Sequence, residues 1–130
     1  MAVWMGVLAA AVQVIGLSRW ILIVPGLAQI GDVATFQLIN TILGTIVGET
    51  FGYLFTGIWT ILIIQSLGKN IGRMWFSWLG IISAILIMLG VLFPLGVPGT
   101  DIANFIGYIL WSVWLVALGI LIWRGVDRKH

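Results

Sequence analysis

Apolar residues fall into four long blocks, broken by Pro-Gly pairs and short polar stretches. The first block, residues 3–24, runs into Pro25-Gly26, a pair that disfavours further helix. The second opens after Asp32 and continues to Leu67. That is too long for one upright crossing, because about 20 helical residues traverse the hydrocarbon core. Its opening turns, residues 33–38, are expected at the interface, and the span itself over about residues 39–67. The third block covers about residues 75–93 and stops at Pro94. The fourth follows Pro98-Gly99 and covers about residues 101–123, with Thr100 placed as an N-cap and Asp101 at the positive end of the helix. Links as short as residues 68–74 and 94–99 make consecutive helices antiparallel neighbours. The pattern predicts an all-α fold, an integral membrane bundle of four transmembrane helices forming one domain over residues 1–130.

Composition excludes the soluble alternative. Hydrophobic residues make up 62% of the 130-residue chain and charged ones 8%, against about a quarter charged in ordinary globular domains. A globule of this size buries only about two-thirds of its chain's surface, too little to hide so much apolar area, so the bilayer is the expected solvent. The net charge of +2 then bears on orientation and does not point to nucleic acid. Lys69 and Arg73 lie between the second and third blocks, and Arg124, Arg128 and Lys129 follow the fourth. Four spans put all five on one side with the N-terminus, and Asp32 and Asp101 on the other. Positive residues mark the cytoplasmic side. The expectation is a multi-pass protein of the inner (cytoplasmic) membrane with both termini cytoplasmic. Trp4, Trp75, Trp78 and Trp123 fall near that interface, where amphipathic rings anchor helices. The N-terminus lacks the positive start of a signal peptide, so the first block reads as a retained helix.

The second block carries the polar chemistry. Gly44, Gly48 and Gly52 recur every fourth residue and end near Thr56, a small-residue row that lets helix backbones approach closely. At 100° per residue, Thr45, Glu49, Gly52, Tyr53, Thr56 and Thr60 share one face, so this helix is expected at the centre of the bundle. Arg19 and Glu49 are the charged residues inside the spans. Each costs roughly 2.5–3.5 kcal/mol at a helix centre. Both approach from the outer side of adjacent antiparallel helices, so a direct ion pair is expected. It either fixes helix register or marks a gated or proton-coupled site. Gln13, Asn104 and Ser112 are expected as further interhelical hydrogen-bonders. Trp20, Trp59, Trp111 and Trp114 do not fit the interfacial belt and are either packing groups or the wall of a cleft for a flat apolar ligand. Cysteine is absent and the single histidine is His130. No metal site, bound cofactor or Ser-His-acid grouping is therefore expected, and an enzyme is not expected.

Three motifs carry a family resemblance. They are Gly16-Leu17-Ser18-Arg19-Trp20 through Val24-Pro25, Gly48-Glu49-Thr50-Phe51-Gly52-Tyr53 with Trp59-Thr60, and Asn104 through Gly107-Tyr108 to Leu110-Trp111-Ser112. The chain resembles the bacterial membrane family called domain of unknown function 4386 over most of its length. Members of that family usually have six spans, and this chain is similar to the last four. The resemblance implies the membrane fold and supplies no activity. It also implies that self-association or other membrane protein subunits complete the surface.

Three functions fit these residues. The first is a non-enzymatic structural or accessory subunit of a larger membrane assembly, suggested by short loops and the glycine row. The second is a small-solute or ion transporter or channel using Arg19 and Glu49. The third is a binder of a lipid, quinone or carotenoid among the Trp side chains.

Overall fold

The computed structural model describes residues 1–67 and 74–127, with side chains described as far as Arg124. Lys69, Arg73, Arg128, Lys129 and His130 lie outside the described residues. The described residues are 93% helical without strands, and four helical stretches are long and apolar enough to cross a membrane. These are Ala2–Ile30, Val33–Leu67, Met74–Leu95 and Thr100–Arg124, hereafter spans one to four. Large apolar side chains face outward along all of them, as with Ile21 at 79% and Val116 at 64% exposure. Such helices are apolar all round and need lipid as their neighbour.

Span one is longer than the sequence pattern predicts. Helix α1, Ala2–Leu22, breaks at Ile23 (φ −117°, ψ −50°), and α2, Val24–Ile30, follows at once. Pro25 does not end the span because it sits in the first turn of α2, where its missing N–H has no intrahelical partner to lose. The stop comes at Gly31, whose φ of 68° favours glycine.

Asp32 then caps α3, Val33–Ile39. Its carboxylate accepts from the Thr35 N–H (3.0 Å) and the Thr35 hydroxyl (2.6 Å). Those hydrogen bonds hold the Asp32 carboxyl below its ordinary value of 3.8. A depressed folded value means that the cap's contribution is complete above pH 3.8 and fades as pH falls through the folded value. Asp32→Ala should speed amide exchange in the first turn of α3 and leave the helix Gly52–Leu67 protected. Equal exchange in both would contradict the cap.

Span two continues as a π-helical segment, Asn40–Phe51, and then α4, Gly52–Leu67. Within the π segment the Thr50 hydroxyl donates to the carbonyl five residues back, that of Thr45 (2.9 Å). π-Helix is rare and normally confined to single turns, frequently at functional sites. Its wider turn rotates every side chain before Gly52 away from its α-helical bearing.

Span three is α5, Met74–Leu89, closed by a 3₁₀ turn, Gly90–Leu95, that takes in Pro94. Span four is α6, Thr100–Asp127. Thr100 is not its cap. The residue lies inside the helix and its hydroxyl donates backward to the Val97 carbonyl (2.8 Å), an alternative bond open to a short hydroxyl side chain.

Span two is the central helix. Span one packs on the π segment and α4, α5 packs on the other side of α4, and α6 packs on α5. The core lies where Ile64, Phe76, Trp114 and Leu118 meet. Trp114 stacks on Phe76 at 5.2 Å and 20°. The exposed Trp4, Trp75, Trp78 and Trp123 sit near the start of span one, the start of span three and the end of span four, one end of an antiparallel bundle.

Candidate functional site

Spans one and four both flank span two without packing on each other as α5 and α6 do. The gap between them is a cleft of about 690 Å³. Span two forms its floor with Gly44, Gly48, Glu49, Tyr53 and Thr56. Span one forms a wall with Gly6, Ala9, Ala10, Gln13, Gly16, Leu17 and Arg19, and Tyr108 and Trp111 of span four face it. The volume falls in the usual range of small-molecule sites, about 300–1,000 Å³.

The glycine row makes room for polar side chains as well as backbone. Gly48 lies against Gly16: a Cβ on Gly16 would stand 2.8 Å from the Gly48 Cα. The Gly44 position is covered by the Arg19 guanidinium and that of Gly52 by the Gln13 amide. All three glycines are therefore matched inside the chain. Gln13 sets its amide against bare backbone at Gly52 and lies beside Tyr108 of span four.

Arg19 is 9% exposed and bound at one end of the cleft. Its Nε donates to Asn40 Oδ1 (3.2 Å), its Nη1 donates to the Gly16 carbonyl of its own helix, and its Cζ lies 5.2 Å from the Trp20 ring centroid. Glu49 lines the same cleft, but the expected direct pair is absent from the contacts of either side chain. The physical reason is local. Asn40 and a carbonyl one turn away offer the guanidinium acceptors nearer than Glu49, whose bearing the π winding has shifted. The carboxylate accepts no hydrogen bond among the described residues.

Further along, Tyr53 meets Tyr108 edge to face at 5.8 Å, and Tyr108 meets Trp111 at 6.1 Å. The Tyr108 hydroxyl is buried, with the Thr56 and Gln13 side chains beside it. Trp59 lies at the other end. It touches Gly6 of span one and meets Trp111 (6.2 Å) and Trp114 (6.1 Å) of span four. Trp111 Nε1 donates to the Thr60 hydroxyl (2.8 Å), which donates to the Thr56 carbonyl (2.8 Å).

Residues 1–119, carrying Arg19, the glycine row and the Tyr108–Trp111 wall together, match the family described as Domain of unknown function (DUF4386). The chain belongs to that family. No curated protein and no solved structure matches it. Membership in DUF4386 supplies kinship and no activity, so function must come from the site.

The remaining sequence candidates divide. Asn104 of this DUF4386 chain donates to the Ile87 carbonyl of span three (2.8 Å). Ser112 does not cross between helices. It is exposed and donates to the Tyr108 carbonyl one turn back, the usual resort of a hydroxyl facing lipid. Thr45 is half-buried outside the cleft lining and contributes its carbonyl to Thr50. Thr56 is buried on the floor. Gly6, Ala9 and Ala10 of the lining were not singled out by the sequence pattern; Tyr108 stood there only within a family motif, and Asn40 only as a polar residue of the second block. Asn40 had a visible signal, a carboxamide opening a span. The glycine and the alanines had none, because small residues are ordinary anywhere in such helices.

Proposed function

We propose that this protein is a non-enzymatic membrane binding protein that admits a small amphiphilic molecule sideways from the bilayer into the cleft between spans one and four. One observation carries the reading: a cleft of about 690 Å³ with buried Arg19 at one end and Trp59 and Trp111 at the other. A site that is mostly apolar with a few convergent polar groups is the general form of a small-molecule pocket. It suits a molecule with one polar end. The glycine row that suggests an accessory subunit is matched within the chain, which weakens that motive. The transporter reading would need a second exit from the cleft, and the lining at the end away from Arg19 is Gly6, Trp59 and Trp111.

Purification in mild detergent followed by solvent extraction and mass spectrometry tests the proposal. The native chain should retain an amphiphile in roughly equal proportion to protein. Ala10→Trp, which fills the cleft from an exposed position, should lose it and still fold. A native chain that retains no amphiphile, or that co-purifies with a protein instead, would overturn the proposal.

We also propose that both termini are cytoplasmic and that the membrane is the inner one. The support is the placement of Lys69, Arg73, Arg124, Arg128 and Lys129. Reporter fusions after His130 should behave as cytoplasmic, and insertions in residues 96–99 as external. The reverse pair of results would refute the orientation.

A further inference from the structure

Three observations narrow the occupant beyond "amphiphile". The first is an unused donor. Arg19 commits Nε and Nη1 to the protein and leaves Nη2 over Gly44 at the cleft, without a protein acceptor among the described residues. An arginine nine-tenths buried, with N–H groups left free at the cleft, is a seat for an oxyanion. The second is an unused acceptor. Glu49 lines the same cleft, and its carboxylate takes no hydrogen bond among the described residues. A simple anion on Arg19 would be repelled by Glu49. A head group bearing both signs would satisfy each.

The third observation is depth. Tyr53, Gly90 and Asn104 stand at one level, since a Cβ on Gly90 would meet both other side chains. The turn from Gly90 ends at Leu95, just before the link to span four. Gly44 precedes Tyr53 by nine residues, roughly 10–13 Å toward the same end at up to 1.5 Å per residue. Arg19 and Gly44 are thus about level with the link between spans three and four, where the hydrocarbon core around those two spans ends; the eleven residues of span one after Arg19 and the eleven of span two before Gly44 extend past that level. The charged end of the cleft lies at head-group depth, and the Tyr53, Tyr108 and Trp111 wall lies at acyl-chain depth.

We propose that the cleft takes an aminophospholipid from the leaflet on the Arg19 side, with its phosphate on Arg19 Nη2, its ammonium on Glu49 and an acyl chain running toward Trp59. This rests on the binding function proposed above and specifies its ligand. The test is native mass spectrometry of the whole chain exchanged into micelles containing phosphatidylethanolamine, phosphatidylglycerol and phosphatidylcholine of matched chains. The native chain should retain the ethanolamine lipid over the glycerol lipid by about tenfold, the lower end for a hydrogen bond between charged partners. Phosphatidylcholine, whose quaternary ammonium has no N–H, should also be disfavoured. Glu49→Gln should retain phospholipid but lose the preference. Arg19→Lys should weaken all phospholipids alike, and its thermal transition reports separately on folding. Retention without preference, or a preference unchanged in Glu49→Gln, would overturn the head-group assignment and leave the binding reading standing. Failure to retain any lipid would overturn both.

Discussion

Gly16→Leu is expected to unseat span one from span two and abolish the cooperative thermal transition of the purified protein. Even Gly16→Ala places a Cβ 2.8 Å from the Gly48 Cα and 3.0 Å from the Leu43 carbonyl oxygen. Both obstacles are backbone, so the helices themselves must move. Overpacking of this kind costs about 1–3 kcal/mol, and the leucine, with three further carbons, should exceed that range. Gly48→Ala is the milder change, because its nearest neighbours would lie at 3.2 and 3.4 Å. Gly119 provides the control. Nothing stands within 4 Å of a Cβ there, and alanine is the better helix former. Gly119→Ala should therefore hold or raise the transition. If Gly16→Leu and Gly119→Ala melt alike, span one is not seated on span two as described.

Trp114→Ala should be the most damaging change on the other side of the bundle. The ring has no exposure, stacks on Phe76, meets Trp59 at its edge and sets its Nε1 against Gly80. Removing a buried aromatic ring costs about 3–5 kcal/mol. Lipid does not rescue the loss, since packing contacts rather than water exclusion hold helices together in a membrane. Trp114→Phe should cost much less. It keeps most of the ring and removes an N–H that has no hydrogen-bond partner. Trp123, 71% exposed, should tolerate alanine. Thermal melts of the three variants in one detergent check the order, and equal losses for Trp114→Ala and Trp123→Ala would contradict it.

The four spans were legible because a bilayer demands runs of about 20 apolar residues, and no other feature of a sequence is so insistent. Their ends were less so. Pro25 reads as a terminator, yet a proline in the first turn of a new helix is harmless, so span one extends to Ile30. The glycine row was readable as a place of close approach. Its partners were not, because a missing side chain says nothing of what fills the space: backbone at Gly48, a guanidinium at Gly44, an amide at Gly52. The expected contact between Arg19 and Glu49 failed for a related reason. The 100° rule assumes α-helix, and the rare π winding of Asn40–Phe51 carries no sequence signature that would cancel it. Opposite charges also attract attention more readily than Asn40 and the Gly16 carbonyl, the acceptors that Arg19 uses. What remained legible was that Arg19 and Glu49 belong to one place, and both line the cleft.

A crystal structure grown from a lipidic mesophase containing phosphatidylethanolamine would test the central claim most directly. It should show spans one and four held apart by elongated density, with its head at Arg19 and Glu49 and its tail along Tyr53, Tyr108 and Trp111. Span four closed onto span one, or a helix of another protein chain seated between them, would contradict it.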